Sequence, residues 1–193
     1  MSEQNSDERR TRIIRAVWQV IASEGMGGVS MRNVAAAADV SVGQIQYWFR
    51  SKDELVKASL EVMLSAAHRR YLTDTENTDD REALWQLVGH AIPRAESARA
   101  GVSVFHHYIA AGINHPSLAQ LLAEAKDGAE REAGRLMADI VPGHPEPGLA
   151  ARALLAAADG LAMRVLIGSL TGAQAERTLR AEIDRLLTPS NAG

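Results

Sequence analysis

Two serine caps, ten residues apart, constrain this chain more than any other feature. Ser41-Val-Gly-Gln44 and Ser51-Lys-Asp-Glu54 both have the spacing of a capping box. In such a box a serine hydroxyl and a Gln or Glu side chain satisfy the open amides at a helix start. One box opens a helix and the next opens its successor, so the helix between them runs only from Val42 to about Arg50. Ser30 caps the helix before it, which carries Met31, Val34, Ala35 and Ala38, and Asp39-Val40 makes the turn. Two short helices joined by so brief a turn read as a helix-turn-helix.

The faces of the short third helix say what it can do. Ile45, Trp48 and Phe49 fall at i, i+3 and i+4 and point inward, leaving Val42, Gln46 and Tyr47 outward with Gln44 beside them. That outward face has no acid. A glutamine can pair with an adenine edge and a valine can pack on a thymine methyl. Gly43 lets the helix start approach a phosphate, and the amides there, with Ser41, favour anions. Charge agrees: residues 9–57 hold eight Lys and Arg against four acids, and residues 58–193 hold thirteen against seventeen. A basic segment on an acidic body suits a polyanion-binding module joined to something else.

The remaining sequence reads as helices throughout, about nine in all, which makes the fold class all-α. A first helix covers about 9–24, with Ile14, Val17, Trp18 and Ile21 on one face. A fourth runs from Ser51 to about Leu72, and a fifth from the Asp79 cap to about Ala98, bent or interrupted at Pro93. Others are expected over about Val102–Ile113, from His115-Pro116 to about Ile140, over Leu149–Leu170, and from the Thr171 cap to about Leu187. The expected divisions are a disordered tail at 1–8, a helix-turn-helix DNA-binding domain at 9–52, a helical body at 53–188, and a frayed tail at 189–193. No signal peptide is visible. The most apolar stretch, Gly148–Leu170, holds Arg152, Asp159 and Arg164, so no membrane span and a cytoplasmic location are expected.

Residues 9 to about 60 resemble the DNA-binding domain of the TetR family of bacterial transcriptional regulators. The resemblance lies in Ile14-Arg-Ala-Val-Trp18, Gly25, Ser30-Met-Arg-Asn-Val-Ala35, Val40-Ser-Val-Gly43 and, above all, Gln46-Tyr-Trp-Phe-Arg-Ser-Lys-Asp-Glu-Leu55. It implies that Ser30, Arg32, Tyr47 and Lys52 bind phosphates while Val42, Gln44 and Gln46 face bases. Three positions depart from the usual pattern: Asp39 stands for a turn glycine, Val42 for a lysine and Gln46 for a tyrosine. The fold tolerates these changes, since Asp accepts a left-handed turn, but the operator sequence cannot be inherited.

The resemblance further implies a homodimer on a pseudo-palindromic stretch of double-stranded DNA, paired through helices at about 149–170 and 173–187. The first is dense in small residues (Ala150, Ala151, Ala153, Ala156, Ala157, Ala158, Gly160, Ala162), and the second carries a Leu179, Ile183, Leu186 stripe. An internal core pair is the alternative. It also implies a small-molecule effector pocket, for which the candidates are Trp85, His90, Phe105, His106, Tyr108, Met137, Met163 and Arg164. Arg164, in an apolar run, is expected to be buried against a partner such as Asp159 across the dimer, or against an anionic ligand. The chain has no cysteine, and His106-His107 with His115 lacks ligand spacing, so neither a metal nor a cofactor is expected. No phosphate loop or nucleophile elbow occurs, so no enzyme is expected. The competing reading is a helical small-molecule binder or enzyme whose helix-turn-helix is only structural.

Overall fold

The computed structural model describes residues 3–188, with side chains described from Asp7 onward. These residues form nine α-helices and no strand: α1 (Glu3–Glu24), α2 (Met31–Ala38), α3 (Val42–Trp48), α4 (Lys52–Thr75), α5 (Asp80–Gly89), α6 (Glu96–Gly112), α7 (Pro116–Ile140), α8 (Pro147–Leu166) and α9 (Gly172–Leu186). None of them is long and apolar enough to cross a membrane. The helices make two compact units. The first comprises residues up to Ala66 with Ser103–Leu122, and the second comprises Ala67–Val102 with the residues from Ala123 onward.

In the first unit, α1 begins at Glu3 and not at residue 9. The segment before Arg9 has no Pro or Gly, and its acids suit the positive end of a helix. The expected tail at 189–193 lies outside the described residues. Apolar faces of α1, α2 and α3 meet in a core of Ile13, Val17, Ile21, Val34, Ala38, Ile45 and Phe49. Leu55, Val56 and Leu60 of α4 complete it with Val104 and Tyr108 of α6 and Leu118 and Leu122 of α7. These contacts carry the unit past the expected boundary at residue 52.

One polar thread runs through that core. The Ser59 hydroxyl donates to the Val56 carbonyl at 2.7 Å and lies 2.6 Å from the Tyr108 hydroxyl. Trp18 Nε1 donates to the Ser59 carbonyl at 3.3 Å. The thread joins α1, α4 and α6 with its hydroxyls satisfied, which is the condition for burying them cheaply.

In the second unit, α5, α7, α8 and α9 enclose Leu84, Trp85, Val88, Leu136, Met137, Leu154, Leu179 and Ile183. Small side chains at Ala151, Ala158 and Ala162 are buried along α8. Of the two outcomes expected at Pro93 the helix is interrupted: α5 ends at Gly89 and α6 begins at Glu96, earlier than the expected Val102. Pro93 donates no hydrogen bond and disfavours helical backbone at Ile92, so the chain opens between them. Helix α8 begins at Pro147, which suits the first helical turn, and ends at Leu166 before Gly168 at φ +78°. The Thr171 cap forms as a full capping box.

Burial pushes the Tyr108 phenol up to about 12 from its ordinary 10. The fold thus favours the neutral phenol. The stability tied to it is fully present below about pH 10 and is lost as pH rises through about 12. Urea unfolding should show stability falling across that window, and Tyr108→Phe should remove part of the fall. Tyr71 in the second unit, also raised to about 12 by burial and the Glu132 hydrogen bond, leaves a remainder. An identical fall in Tyr108→Phe would rule out this role for the buried phenol.

Candidate nucleic-acid interface

The geometry of α2, the turn and α3 follows from their caps. Ser30 Oγ accepts from the Asn33 amide at 3.1 Å, starting α2. Asp39 ends it in the left-handed region, at φ 50° and ψ 53°, with its amide turned back to the Ala35 and Ala36 carbonyls. It is the single non-glycine residue at positive φ among the described residues, in keeping with aspartate's tolerance of that conformation. Ser41 Oγ then accepts from the Gln44 amide at 3.2 Å, and Gln44 Oε1 accepts from the Ser41 amide at 2.9 Å. This closes the first capping box. The second is shifted: Ser51 Oγ accepts from the Glu54 amide at 3.1 Å, while Glu54 Oε2 accepts from the Arg50 amide at 2.7 Å. Helix α3 stops at Trp48 because Phe49 turns extended, at ψ 116°, to enter that cap.

The inward and outward faces of α3 fall as its periodicity requires. Ile45 and Phe49 are buried and Trp48 is half-buried. Gln44 and Gln46 are exposed, Val42 is half-buried, and Tyr47 stands 80% exposed with its ring edge-on to Trp48 at 5.1 Å. Gln44 closes the capping box that its spacing predicts, with its carboxamide oxygen accepting from the Ser41 amide. At Gly43 an added Cβ would meet nothing nearer than Ser41 Oγ, at 3.9 Å. Nothing in the fold itself demands glycine there.

Cations border this face. Arg32 and Lys52 are exposed, Ser30 is half-buried, and neither cation is paired with an acid among the described residues. Two further arginines lie near α3. Arg10 has its guanidinium 5.8 Å from the centre of the Phe49 ring, at the end of α3. Arg50 is exposed between α3 and Lys52. The place of Arg50 follows from the sequence, whereas the closeness of Arg10 to α3 depends on tertiary packing.

The effector candidates fall in both units. Phe105, His106 and Tyr108 belong to the first unit, and Tyr108 is fully buried. Trp85, His90, Met137, Met163 and Arg164 belong to the second. There Trp85 and Met137 are core, with the Arg180 guanidinium 3.7 Å and the Arg94 guanidinium 5.4 Å from the Trp85 ring centre. His90 has Nδ1 2.8 Å from the Leu87 carbonyl, and burial of its ring holds the imidazole below its ordinary value. Met163 is 54% exposed.

Arg164 is not buried within its own chain: it is exposed, with Nε donating to Ser169 Oγ at 3.3 Å, because α8 ends within a turn of it. Asp159 is held by Lys126, whose Nζ donates to both carboxylate oxygens at 2.6 Å. The Leu179–Ile183 stripe is core of the second unit, so the apolar face of α9 is spent within one chain. Outside that core, α8 and α9 flank an open groove of about 740 Å³ lined by Ala157, Gly160, Leu161, Arg164, Glu182 and Arg185.

Comparison with known proteins supplies the wider frame. Residues 13–59 match the pattern described as "Bacterial regulatory proteins, tetR family", and residues 80–188 match "BetI-type transcriptional repressor, C-terminal". The chain is 31% identical over 177 residues to the HTH-type transcriptional regulator BetI of Stenotrophomonas maltophilia, covering 89% of this chain and 88% of that protein. It is 25% identical over 168 residues to the regulator PksA of Bacillus subtilis, covering 83% and 80%. Its fold matches the crystal structure of a transcriptional regulator from Rhodococcus sp. Rha1 with a TM-score of 0.85, at 26% identity, covering 92% and 95%.

The Ser41 box predicts its own worth. Ser41→Ala should lower stability by about 1 kcal/mol, read by urea unfolding, because the Gln44 amide loses its acceptor at the start of α3. A variant as stable as the parent would mean that the cap contributes nothing to holding α3.

Proposed function

The chain belongs to the TetR family of bacterial regulatory proteins, with a C-terminal region of the BetI type, and from that premise we propose that it represses transcription as a homodimer on a pseudo-palindromic operator and is released by a small molecule. It is a DNA-binding transcriptional regulator and not an enzyme. The observation that carries the operator reading is the face of α3. Gln46 and Tyr47 are exposed there beside Val42, no acid intervenes, and the exposed cations Arg32 and Lys52 stand on the flanking helices α2 and α4, paired with no acid among the described residues.

In this reading Gln46 and Val42 read base edges in the major groove, and Ser30, Arg32, Tyr47 and Lys52 set the register on phosphates. Ser41 and Gly43 present the start of α3, with its open amides, to the backbone of the duplex. Gly43 leaves a space that the fold does not use and that a close phosphate would fill. Gln44 acts first as a cap, which stiffens α3 before it meets DNA. Residues 9–52 supply the reading head and residues 53–188 the assembly and effector functions, all in the cytoplasm.

A single α3 reads few bases. Pairing two subunits doubles the site and sets the half-sites a helical turn apart, about 34 Å centre to centre. The outer side of the α8–α9 hairpin suits such pairing. Ala153, Ala156 and Gly160 are exposed there, and Met163 and Ile167 stand 54% and 72% exposed. An effector that favours a conformation with unmatched head spacing would empty the operator by population shift. The BetI-type match over residues 80–188 supports a body built for that role.

Binding to a selected operator, measured by fluorescence anisotropy, tests the head. Gln46→Ala should relax preference at one position of each half-site, by about 1–3 kcal/mol. Lys52→Ala should weaken all sequences alike and reduce the salt slope by about one for each subunit, so about two for the dimer. Uniform loss in Gln46→Ala, or unchanged salt dependence in Lys52→Ala, would contradict these roles.

A further inference from the structure

Helix α8 ends at Leu166, and the amides that follow it turn back onto the Met163, Arg164 and Val165 carbonyls, the last of them receiving the Gly168 amide at 3.1 Å. The Val165 and Leu166 carbonyls also receive one side chain from another helix. Arg99, half-buried on α6, donates through Nη1 to the Val165 carbonyl at 3.1 Å and through Nη2 to the Leu166 carbonyl. A guanidinium is suited to this place: its planar fork reaches both oxygens, and its charge faces the negative end of the α8 dipole.

The neighbouring residues fasten the same corner. The Pro93 carbonyl lies 2.9 Å from where a Cβ on Gly172 would sit, so the link before α6 rests directly on the first residue of α9. Arg94 of that link and Arg180 of α9 both lie over the Trp85 ring. The turn between α8 and α9 is therefore held from one side by Pro93, Arg94 and Arg99. Within one turn of the carbonyls that Arg99 takes, Met163 and Ile167 project into solvent.

We propose that Arg99 is a positioning residue for self-association: by capping α8 it holds Met163 and Ile167 in the arrangement that a second copy of the chain packs against. This rests on the α8–α9 pairing proposed above. A cap that only added stability would leave the pairing of folded subunits unchanged. A cap that positions the face changes the dimer dissociation constant at unchanged helix content.

Sedimentation equilibrium of the full chain over a concentration series, with circular dichroism on the same samples, separates these cases. Arg99→Gln should raise the dimer dissociation constant about tenfold without loss of helix, and Arg99→Lys, which keeps the charge but not the fork, should fall between it and the parent. A dissociation constant for folded Arg99→Gln within twofold of the parent overturns the proposal. Should Arg99→Gln fail to fold, Arg99→Lys decides: a weakened dimer supports the role and an unchanged one overturns it. Ile167→Glu is the control for the face itself. A monomeric parent, or an unaffected Ile167→Glu dimer, would overturn the pairing reading and the Arg99 proposal with it. A weakened Ile167→Glu dimer beside an unchanged Arg99→Gln dimer would overturn the Arg99 role alone.

Discussion

Everything proposed for the reading head depends on seven residues of helix being held still between two serine caps. A helix as short as α3 has too few internal hydrogen bonds to persist by itself. Its start is closed by the reciprocal Ser41–Gln44 box, and its end is forced by Phe49 as the chain turns toward Ser51. Ile45 and Phe49 then anchor it to α1, and the residues left outside are the ones that meet a groove. Stiffness obtained before binding lowers the entropy lost on contact with DNA.

The same economy recurs at each corner. Asp39 turns the chain from α2 to α3 in the left-handed conformation usually left to glycine. Ser59, Tyr108 and Trp18 join three helices through satisfied polar groups in the first core. At the far end of α8 the Arg99 guanidinium adds to the backbone amides that close the helix. In each case a polar group meets a backbone or hydroxyl group at a corner, and apolar burial supplies the bulk of the stability.

The parts legible in the sequence are those governed by short spacing. Both serine caps, the Asp79 and Thr171 caps, the inward face of α3 and the Asp39 turn all act over three or four residues, so the pattern and the geometry coincide. Less was legible where packing decides. The stripe on α9 looks the same whether it meets its own chain or another, and here Leu179 and Ile183 meet their own. Arg164 stands in an apolar run, which suggests burial, yet within its own chain it is exposed beside the end of α8. The effector candidates were chosen for rarity, and large rare side chains such as Trp85, Tyr108 and Met137 fill cores first.

The most direct measurement is selection of bound fragments from genomic DNA by the purified protein, followed by footprinting of the winners. The account predicts one protected palindrome whose half-sites lie a helical turn apart, about 34 Å, with protection that weakens steeply as salt rises. Fragments enriched no more than random DNA at low salt, or a protected site without two-fold symmetry, would contradict it.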